Sequence, residues 1–317
     1  MPLNLSRLRM LSELRRLGTI NAVAEVLHFT HSSVSQQLAQ LERETGHVLL
    51  EKAGRGVILT DAGKTLADYA ERLLALSEEA ESSLARHAPV SGTIRVASFQ
   101  TVLVALIPEV ISLLAQRHPG LRVEFVQHEV LEGMQALLNH EVDVCIGEQF
   151  PGTTPIGDKG IARHDFYKEP LLLVQPATGP LSVTTGLEEL SAAPWVIDPR
   201  ESAAGQFAWG VCQAAGFEPN VFIESPDPML ALQIVGKGQA IAILPSLIVK
   251  KTTDPDWAFR VPTLSRTLPG DPGRILFTAV RSGREHHPGI KAFCEVLAEV
   301  TKQTQIEAFA WEDSRYV

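Results

Sequence analysis

Cysteine is scarce in this sequence. Only three of the 317 residues are cysteines, Cys145, Cys212 and Cys294, and they lie far apart in the chain. An odd number of widely spaced cysteines suits a reducing cytoplasm. No Cys-x-x-Cys pair and no cluster of cysteine and histidine occurs at metal-ligand spacing, so we expect no metal site. Because Cys145 lies in an apolar stretch and Cys212 has no second cysteine near it, we interpret both thiols as buried and inert.

Long apolar runs and targeting signals are also missing. No run of about 18 apolar residues occurs, which excludes a membrane-spanning helix. The N-terminal stretch MPLNLSRLRMLSELRRL has neither the continuous apolar core nor the cleavage site of a secretory signal. With 45% hydrophobic and 21% charged residues, the composition is typical of folded proteins, and the length allows two or three domains. We therefore expect a cytoplasmic, multidomain protein.

The sequence motifs of common enzyme classes are absent. There is no Gly-x-Ser-x-Gly nucleophile motif, no P-loop and no dinucleotide-binding fingerprint after the first predicted strand of the larger domain. We therefore expect no catalytic residues, no cofactor and no enzymatic activity.

Charge is distributed unevenly along the chain. The net charge is −9, yet residues 1–65 carry eight Lys or Arg against six Asp or Glu, whereas residues 91–317 carry 18 against 26. This asymmetry indicates a small basic module joined to an acidic one.

Residues 1–61 are predicted to form a winged helix-turn-helix domain. Leu5, Leu8, Leu11 and Leu14 recur every third residue, as on one face of a helix. Two further helical patterns follow with room for only a short turn between them, which is typical of a helix-turn-helix. The stretch HVLLEKAGRGVILT then indicates two short strands joined by a glycine-rich turn, a wing with Arg55 at its tip.

Residues 62–88 are predicted to form a long linker helix. Its stripe of apolar and small residues follows alternating spacings of three and four, as in a short coiled coil between two copies of the chain. The dimerisation residues predicted from this stripe are Leu66, Ala70, Leu73, Ser77, Ala80 and Leu84. Packing against the helix's own domain is the simpler alternative for any such stripe. The Pro-Val-Ser-Gly sequence at 89–92 breaks the helix and indicates a domain boundary.

Residues 89–317 are predicted to form a two-lobed α/β domain. Strand-like runs alternate with helical ones at 102–117, 133–139, 206–215 and 229–235, in two βαβαβ units of similar rhythm. We assign about 92–167 and 274–310 to lobe I, and about 168–273 to lobe II. Apolar strands at 171–175 and 274–280 are expected to carry the chain between the lobes.

These patterns resemble the LysR-type transcriptional regulators along essentially the whole chain. The segment INAVAEVLHFTHSSVSQQLAQLE and its continuation GHVLLEKAGRGVILTDAGKTL are similar to that family's winged helix-turn-helix, and LIPEVISLLAQRHPGLRVEF and GKGQAIAILP to its effector-binding domain. The resemblance implies a periplasmic-binding-protein-like effector domain, a homotetramer built from two linker-helix dimers, operator DNA as ligand and RNA polymerase as partner. The chain departs from the family at Thr30-His31-Ser32, where Ser-Gln-Pro is frequent, and at Gln36, where Arg is frequent. We therefore expect a different operator preference.

The polar start of the third helical pattern is predicted to bind DNA. Gln side chains can pair with adenine, Ser and Thr can contact several base edges, and a helix N-terminus favours phosphate. An exposed polar helix face is the simpler alternative, as is an exposed charge for Arg55, to which we assign a minor-groove or phosphate contact. The predicted DNA-binding residues are Thr30, His31, Ser32, Ser33, Ser35, Gln36, Gln37 and Arg55.

Polar residues that follow the predicted strands are expected to bind a small-molecule effector. Ligands of open α/β sheets bind beyond the carboxyl ends of strands, although each of these residues could simply cap a helix. The predicted effector-binding residues are Ser98, Gln100, Thr101, Glu148, Asp198, Arg200, Ser202 and Asp227. If Arg200 lies beside Glu148, Asp198 and Asp227, the site suits a ligand with both charge signs, such as an amino acid. The alternatives to a regulator are an architectural DNA-binding protein of the nucleoid and a cytoplasmic small-molecule-binding protein.

Overall fold

The structure of the protein is a computed structural model that describes residues 3–54, 56–85, 89–154, 160–182, 186–251 and 261–313. Its first domain contains α1 (Leu5–Leu17), α2 (Ile20–Val26), α3 (His31–Thr45), β1 (Leu50–Ala53) and β2 (Gly56–Leu59). Helices α1 and α3 both end at a glycine in the left-handed conformation, Gly18 at φ 76° and Gly46 at φ 69°. In these ranges no helix is both long and apolar enough to cross a membrane.

The turn between α2 and α3 is tight. The backbone N–H of Phe29 donates to the carbonyl of Ala24 over 2.8 Å and closes the turn. The hydroxyl of Thr30 accepts from the N–H of Ser33 and caps α3. Val34 and Leu41, on the inner face of α3, are fully buried against α1 and α2. The structure therefore has the predicted helix-turn-helix.

The wing is fastened to α3 by one carboxylate. Glu42 accepts hydrogen bonds from the backbone N–H groups of Leu49, at 2.8 Å, and Leu50, at 3.1 Å. The two strands pair antiparallel from Leu50 to Ala53. Arg55, the predicted wing tip, lies outside the described residues.

The linker helix α4 (Asp61–Ala85) divides its apolar residues between two surfaces. Ala67 and Ala70 have no solvent exposure because this part of α4 lies against α1, in the core of the first domain. Leu73, by contrast, is 37% exposed and Leu84 is 78% exposed. The placement of Ala70 on the predicted dimerisation stripe is therefore corrected: this side chain is used by its own domain. The exposed large apolar side chains of α4, which we call the α4 stripe, are Tyr69, Leu73, Leu76 and Leu84.

The second domain follows as alternating strands and helices. Its first part consists of β3 (Gly92–Ser98), α5 (Gln100–Ala105), α6 (Ile107–Arg117), β4 (Leu121–Gln127), α7 (Val130–Leu138), β5 (Val144–Gln149) and β6 (Ile161–Pro176). A 3₁₀ turn (Leu187–Leu190), β7 (Pro194–Ile197), α8 (Ala203–Ala214), β8 (Asn220–Glu224), α9 (Pro228–Gly236), β9 (Ala242–Pro245), α10 (Ser246–Lys251), β10 (Thr263–Thr267), β11 (Gly273–Arg281) and α11 (Pro288–Asp313) complete it.

Two long strands connect the lobes. In lobe I the order is β11-β5-β3-β4, with β3 parallel to both β4 and β5 and β11 antiparallel to β5. The first half of β6 pairs with β11, and its second half pairs with β9 and β10 of lobe II. The parallel strands β7 and β8 join lobe II, where Trp195 forms a bridge with Ile241. Strands β6 and β11 therefore form the predicted crossover.

The helix predicted over 102–117 is wrong in one respect, because the structure has two helices there. Pro108 stands at the start of α6 and lacks a backbone N–H, so it cannot donate to the carbonyl four residues earlier. The chain bends at Leu106, which ends α5 and caps α6.

Lobe I is docked on the linker helix. The hydroxyl of Ser82 donates to the carbonyl of Gly283 over 2.9 Å, and the Nε of Arg281 lies 3.2 Å from a carboxylate oxygen of Glu78. Gly283 has φ +95°, and a Cβ there would lie 2.2 Å from the carbonyl oxygen of Ala75. Only glycine therefore allows the loop to approach α4 this closely.

Candidate functional site

The first candidate surface is the N-terminal half of α3. His31, Ser32 and Gln36 are exposed, whereas Ser33 and Ser35 are half-buried. Because the inner face of the helix is buried in the domain core, these polar side chains stand on its outer face. This polar face begins at the N-terminus of α3, where backbone N–H groups favour phosphate.

Two of the predicted DNA-binding side chains are engaged within the domain. Gln37 accepts a hydrogen bond of 2.8 Å from the Nε of Arg7, which also binds Glu44 at 2.6 Å. The hydroxyl of Thr30 caps α3 and lies 3.0 Å from the hydroxyl of Ser32. These contacts give Thr30 and Gln37 roles in holding α3 in place.

The second candidate site is a cavity of about 470 Å³ between the two lobes. This volume falls within the range of small-molecule sites. Lobe I contributes residues at the ends of β3 and β5, among them Gln100, Thr101 and Glu148. Lobe II contributes residues that follow β7 and β8, among them Asp198 and Asp227. The carboxyl ends of strands from both lobes therefore meet at one cavity, as the sequence predicts.

A hydrogen bond joins the lobes across this cavity. The side-chain nitrogen of Gln100 donates to the Oδ1 of Asp227 over 3.2 Å. The same oxygen accepts from the backbone N–H groups of Met229, at 2.9 Å, and Leu230, at 3.2 Å, and so caps α9. Asp227 is thus held both by its own helix and by lobe I.

A buried arginine forms the floor of the cavity. Arg274, on β11, donates from Nε to Glu169 over 2.8 Å and from Nη2 to the hydroxyl of Thr101 over 2.8 Å, and its Nη1 binds Glu148. Glu169 is completely buried, and its other oxygen accepts from the backbone N–H of Leu247 over 2.7 Å. This cluster ties lobe I to both crossover strands and to α10.

Six of the eight predicted effector-binding residues line the cavity. They are Gln100, Thr101, Glu148, Asp198, Ser202 and Asp227. Ser98 is 1% exposed and its hydroxyl has no hydrogen-bond partner among the described residues, but it does not reach the cavity wall. The expected position of Arg200 is corrected: its guanidinium lies 4.3 Å from the centre of the Trp209 ring, outside the wall.

Sequence reasoning missed Arg274 and Glu129. Among the described residues, Arg274 is the one cationic side chain of the cavity wall. The available signal was an arginine at the start of an otherwise apolar strand, where a charge needs a partner. Glu129 precedes α7 and resembles an ordinary helix-start acid.

Three carboxyl groups of the wall have raised pKa values. Burial and, after it, the nearby carboxylates of Glu148 and Glu129 raise the pKa of Asp198 to about 7, while Arg274 acts to lower it. Burial also raises the pKa of Glu148, against the lowering effect of Arg274, and the pKa of Glu129, which the nearby Glu132 raises too. Burial therefore disfavours the ionised forms of several acids in the cavity wall.

No group of His, Cys, Asp and Glu side chains within the described part of the chain could hold a metal ion. Cys212 is completely buried, and burial raises its pKa to about 12. The pKa of Cys145 is raised to about 12 for the same reason. Both thiols thus lack the thiolate character of reactive cysteines, which supports the prediction that they are inert.

Two family models together match most of the chain. Residues 5–64 match the bacterial regulatory helix-turn-helix protein of the lysR family, and residues 87–302 match the LysR substrate binding domain. The transcriptional regulator BenM of Acinetobacter baylyi is 30% identical over 250 residues, which cover 74% of this chain and 80% of BenM. The transcriptional dual regulator GltC of Bacillus subtilis is 25% identical over 262 residues, which cover 79% of this chain and 86% of GltC.

Solved structures share the same fold. A full-length OxyR variant from Pseudomonas aeruginosa superposes with a TM-score of 0.60 at 20% identity, over 95% of both chains. Full-length CbnR in complex with its target DNA superposes with a TM-score of 0.51 at 23% identity, over 94% of this chain and 99% of CbnR. The protein therefore belongs to the LysR family of transcriptional regulators: it is not an enzyme but a DNA-binding regulator that joins a helix-turn-helix domain to a two-lobed effector-binding domain.

Proposed function

We propose that a small molecule bound in the cavity between the lobes changes how this regulator holds its operator DNA. The observation that carries the proposal is the cavity itself, with walls from both lobes and a hydrogen bond between Gln100 and Asp227 across it. A ligand that contacts both walls favours one arrangement of the lobes by the difference between its affinities for the two arrangements. Lobe I touches α4, which carries the DNA-binding domain, so this difference can reach the DNA.

On the DNA side, the outer face of α3 enters the major groove. Gln36, Ser32 and His31 are the most exposed polar side chains there, and a glutamine can form two hydrogen bonds with adenine. Ser33 and Ser35 lie beside them. Arg55 contacts phosphate or the minor groove, a role that rests on its place in the sequence of the wing.

The α4 stripe pairs with its counterpart in a second copy of the chain. Leucines such as Leu76, which is 60% exposed, present apolar surface to water, and pairing with an identical helix would bury this surface. Ser77 and Ala80 lie among them on α4. A dimer reads two half-sites, so it gains affinity that a single domain of small positive charge lacks. The family resemblance supports a tetramer of two such dimers, action on RNA polymerase and a cytoplasmic location.

Footprinting on the DNA upstream of the protein's own gene tests the cavity's role. Ala204, on α8, lines the cavity and is half-buried, so Ala204→Phe adds a ring at the wall. Ala214→Phe is the matched control, because Ala214 lies on the same helix, exposed and outside the wall. We expect a small-molecule extract of the host to alter the footprint of the wild type and of Ala214→Phe, and to leave that of Ala204→Phe unchanged.

An equal response of all three proteins would place the effector elsewhere. Equally tight binding of random and upstream DNA would instead favour an architectural DNA-binding protein, because a regulator prefers its operator over other sequences.

A further inference from the structure

The cavity wall is strongly acidic. Its carboxylates are Glu129, Glu148, Asp198, Glu201 and Asp227, and Arg274 is the one cation that faces them within the described ranges. A ligand in this cavity therefore meets a surplus of negative charge, which sets the charge that it should carry.

The single cation does not offset this surplus. Arg274 is bound by Glu148 within the wall and by Glu169 behind it, so two carboxylates already share its charge. Asp227 is satisfied by the N-terminus of α9 and by Gln100. The described residues place no Lys or Arg at ion-pair distance from Asp198.

The electrostatic environment of Glu129 is similar to that of Asp198. Burial raises the pKa of Glu129, and the carboxylate of Glu132 raises it further. In the part of the chain that the structure describes, no Lys or Arg lies at ion-pair distance from either acid, one of which belongs to each lobe. A bound ligand could supply this positive partner.

The rest of the wall is apolar and aromatic. Phe99, Phe150 and Phe207 line it, and the rings of Phe150 and Phe207 are 5.8 Å apart. Aromatic faces attract organic cations, and the attraction grows when the cation is desolvated. An anionic ligand would find none of these advantages, because Arg200 lies outside the wall and Arg274 is already paired.

We infer that the effector is an organic cation, an amine with an apolar body, whose charged end lies between Asp198 and Glu129 while its body contacts the phenylalanine rings. The inference rests on the proposed role of the cavity and adds the charge and shape of its ligand. Carboxylates from opposite lobes then bind one cation, so the ligand draws the lobes together.

Titration calorimetry with matched probes tests the charge of the ligand. The amines are hexylamine, 2-phenylethylamine and 1,5-diaminopentane, and the acids of matching skeleton are hexanoate, phenylacetate and glutarate. We expect the full-length protein to bind at least one amine and none of the acids at pH 7. Asp198→Asn should weaken amine binding by about 10- to 100-fold, as for loss of one buried hydrogen bond to a charge. Glu218→Gln is the control, because it removes an exposed acid of the same lobe outside the cavity.

Proton release gives a second readout. With its pKa near 7, Asp198 is about half protonated at pH 7 in the free protein, and a bound cation favours the ionised form. Calorimetry of amine binding in two buffers of different ionisation enthalpy should then show the release of about half a proton per bound amine. Binding should also tighten from pH 5.5 to pH 8, because Asp198 ionises in this range. Burial and the carboxylates of Glu148 and Glu129 raise its pKa, and the positive charge of Arg274 offsets them in part. Asp198→Asn should release less, and it should fold, since it removes a buried charge.

Three results would overturn the inference. They are binding of the acids in place of the amines, no binding of any amine at millimolar concentration, and amine binding that Asp198→Asn leaves unchanged. None of these touches the proposed role of the cavity, which the footprint of Ala204→Phe decides by itself.

Discussion

Replacing Glu169 by glutamine tests whether the cluster around Arg274 stabilises the effector domain. The Glu169 side chain is completely buried, and glutamine is of nearly the same size. The substitution therefore removes the charge and keeps the side-chain volume. One oxygen of Glu169 accepts from Arg274 and the other from the N–H of Leu247. Glutamine has one oxygen and one NH₂ group, so it can satisfy only one of these two donors.

The magnitude follows from what remains in place. Removing one partner of a buried ion pair destabilises a protein by about 3–5 kcal/mol. Arg274 keeps its bonds to Glu148 and to the hydroxyl of Thr101, which places the expected loss near the lower end, at about 3 kcal/mol. At about 2–4 °C per kcal/mol for a domain of this size, Tm should fall by about 6–12 °C.

Differential scanning calorimetry of the full-length protein measures the shift, followed through the transition of the effector domain. Glu189→Gln makes the same chemical change at an exposed position of lobe II, and we expect its Tm to stay close to that of the wild type. A fall of less than about 2 °C for Glu169→Gln would show that the pair contributes little beyond its desolvation. The reasoning about the cluster would then be wrong.

Three further predictions concern the DNA, the dimer and the cleft. Gln36→Ala should weaken binding to the operator by about 1–3 kcal/mol and binding to random DNA far less. Gln40→Ala, in the other half of α3, should affect neither. Equal losses of affinity on both DNAs for Gln36→Ala would indicate a phosphate contact. Leu73→Asp places a carboxylate in the α4 stripe, so sedimentation should show dissociation and operator affinity should collapse; an unchanged oligomer would contradict the pairing. Gln100→Leu removes the bond to Asp227, and amide exchange at the start of α9 should become faster without effector; unchanged exchange would show that this bond does not hold the lobes together.

The DNA-binding domain could be predicted from the sequence because its determinants are local. Val34, Leu38 and Leu41 are spaced by four and three residues, which alone identifies the buried face of α3. The remaining residues of the helix then form its exposed polar face. The engagement of Gln37 by Arg7 could not be predicted, because it depends on how α1 crosses α3.

The effector domain could be predicted as alternating strands and helices, but the charges of its cavity could not. Arg200 and Arg274 are equivalent as residue types, and only Arg200 follows a strand in the manner of a ligand-binding residue. Glu169, which decides the position of Arg274, lies 105 residues away in the sequence and on the other crossover strand. Pro108 is a different case, because a proline inside a predicted helix already signals the break that the structure has.

Because Gly283 lies so close to α4, a movement of lobe I can tilt the linker helix and so displace the first domain. Helix α4 has 25 residues, and lobe I contacts its second half from Ala75 to Ser82. From Ala75 to Asp61 the helix spans about 21 Å at about 1.5 Å per residue. A tilt of about 5° imposed at Ala75 displaces the N-terminal end by about 2 Å, which is about half the rise of one base pair. If α3 reads a half-site as proposed, a small movement of lobe I can therefore shift α3 relative to the DNA. Any side chain at Gly283 would loosen this contact between lobe I and α4.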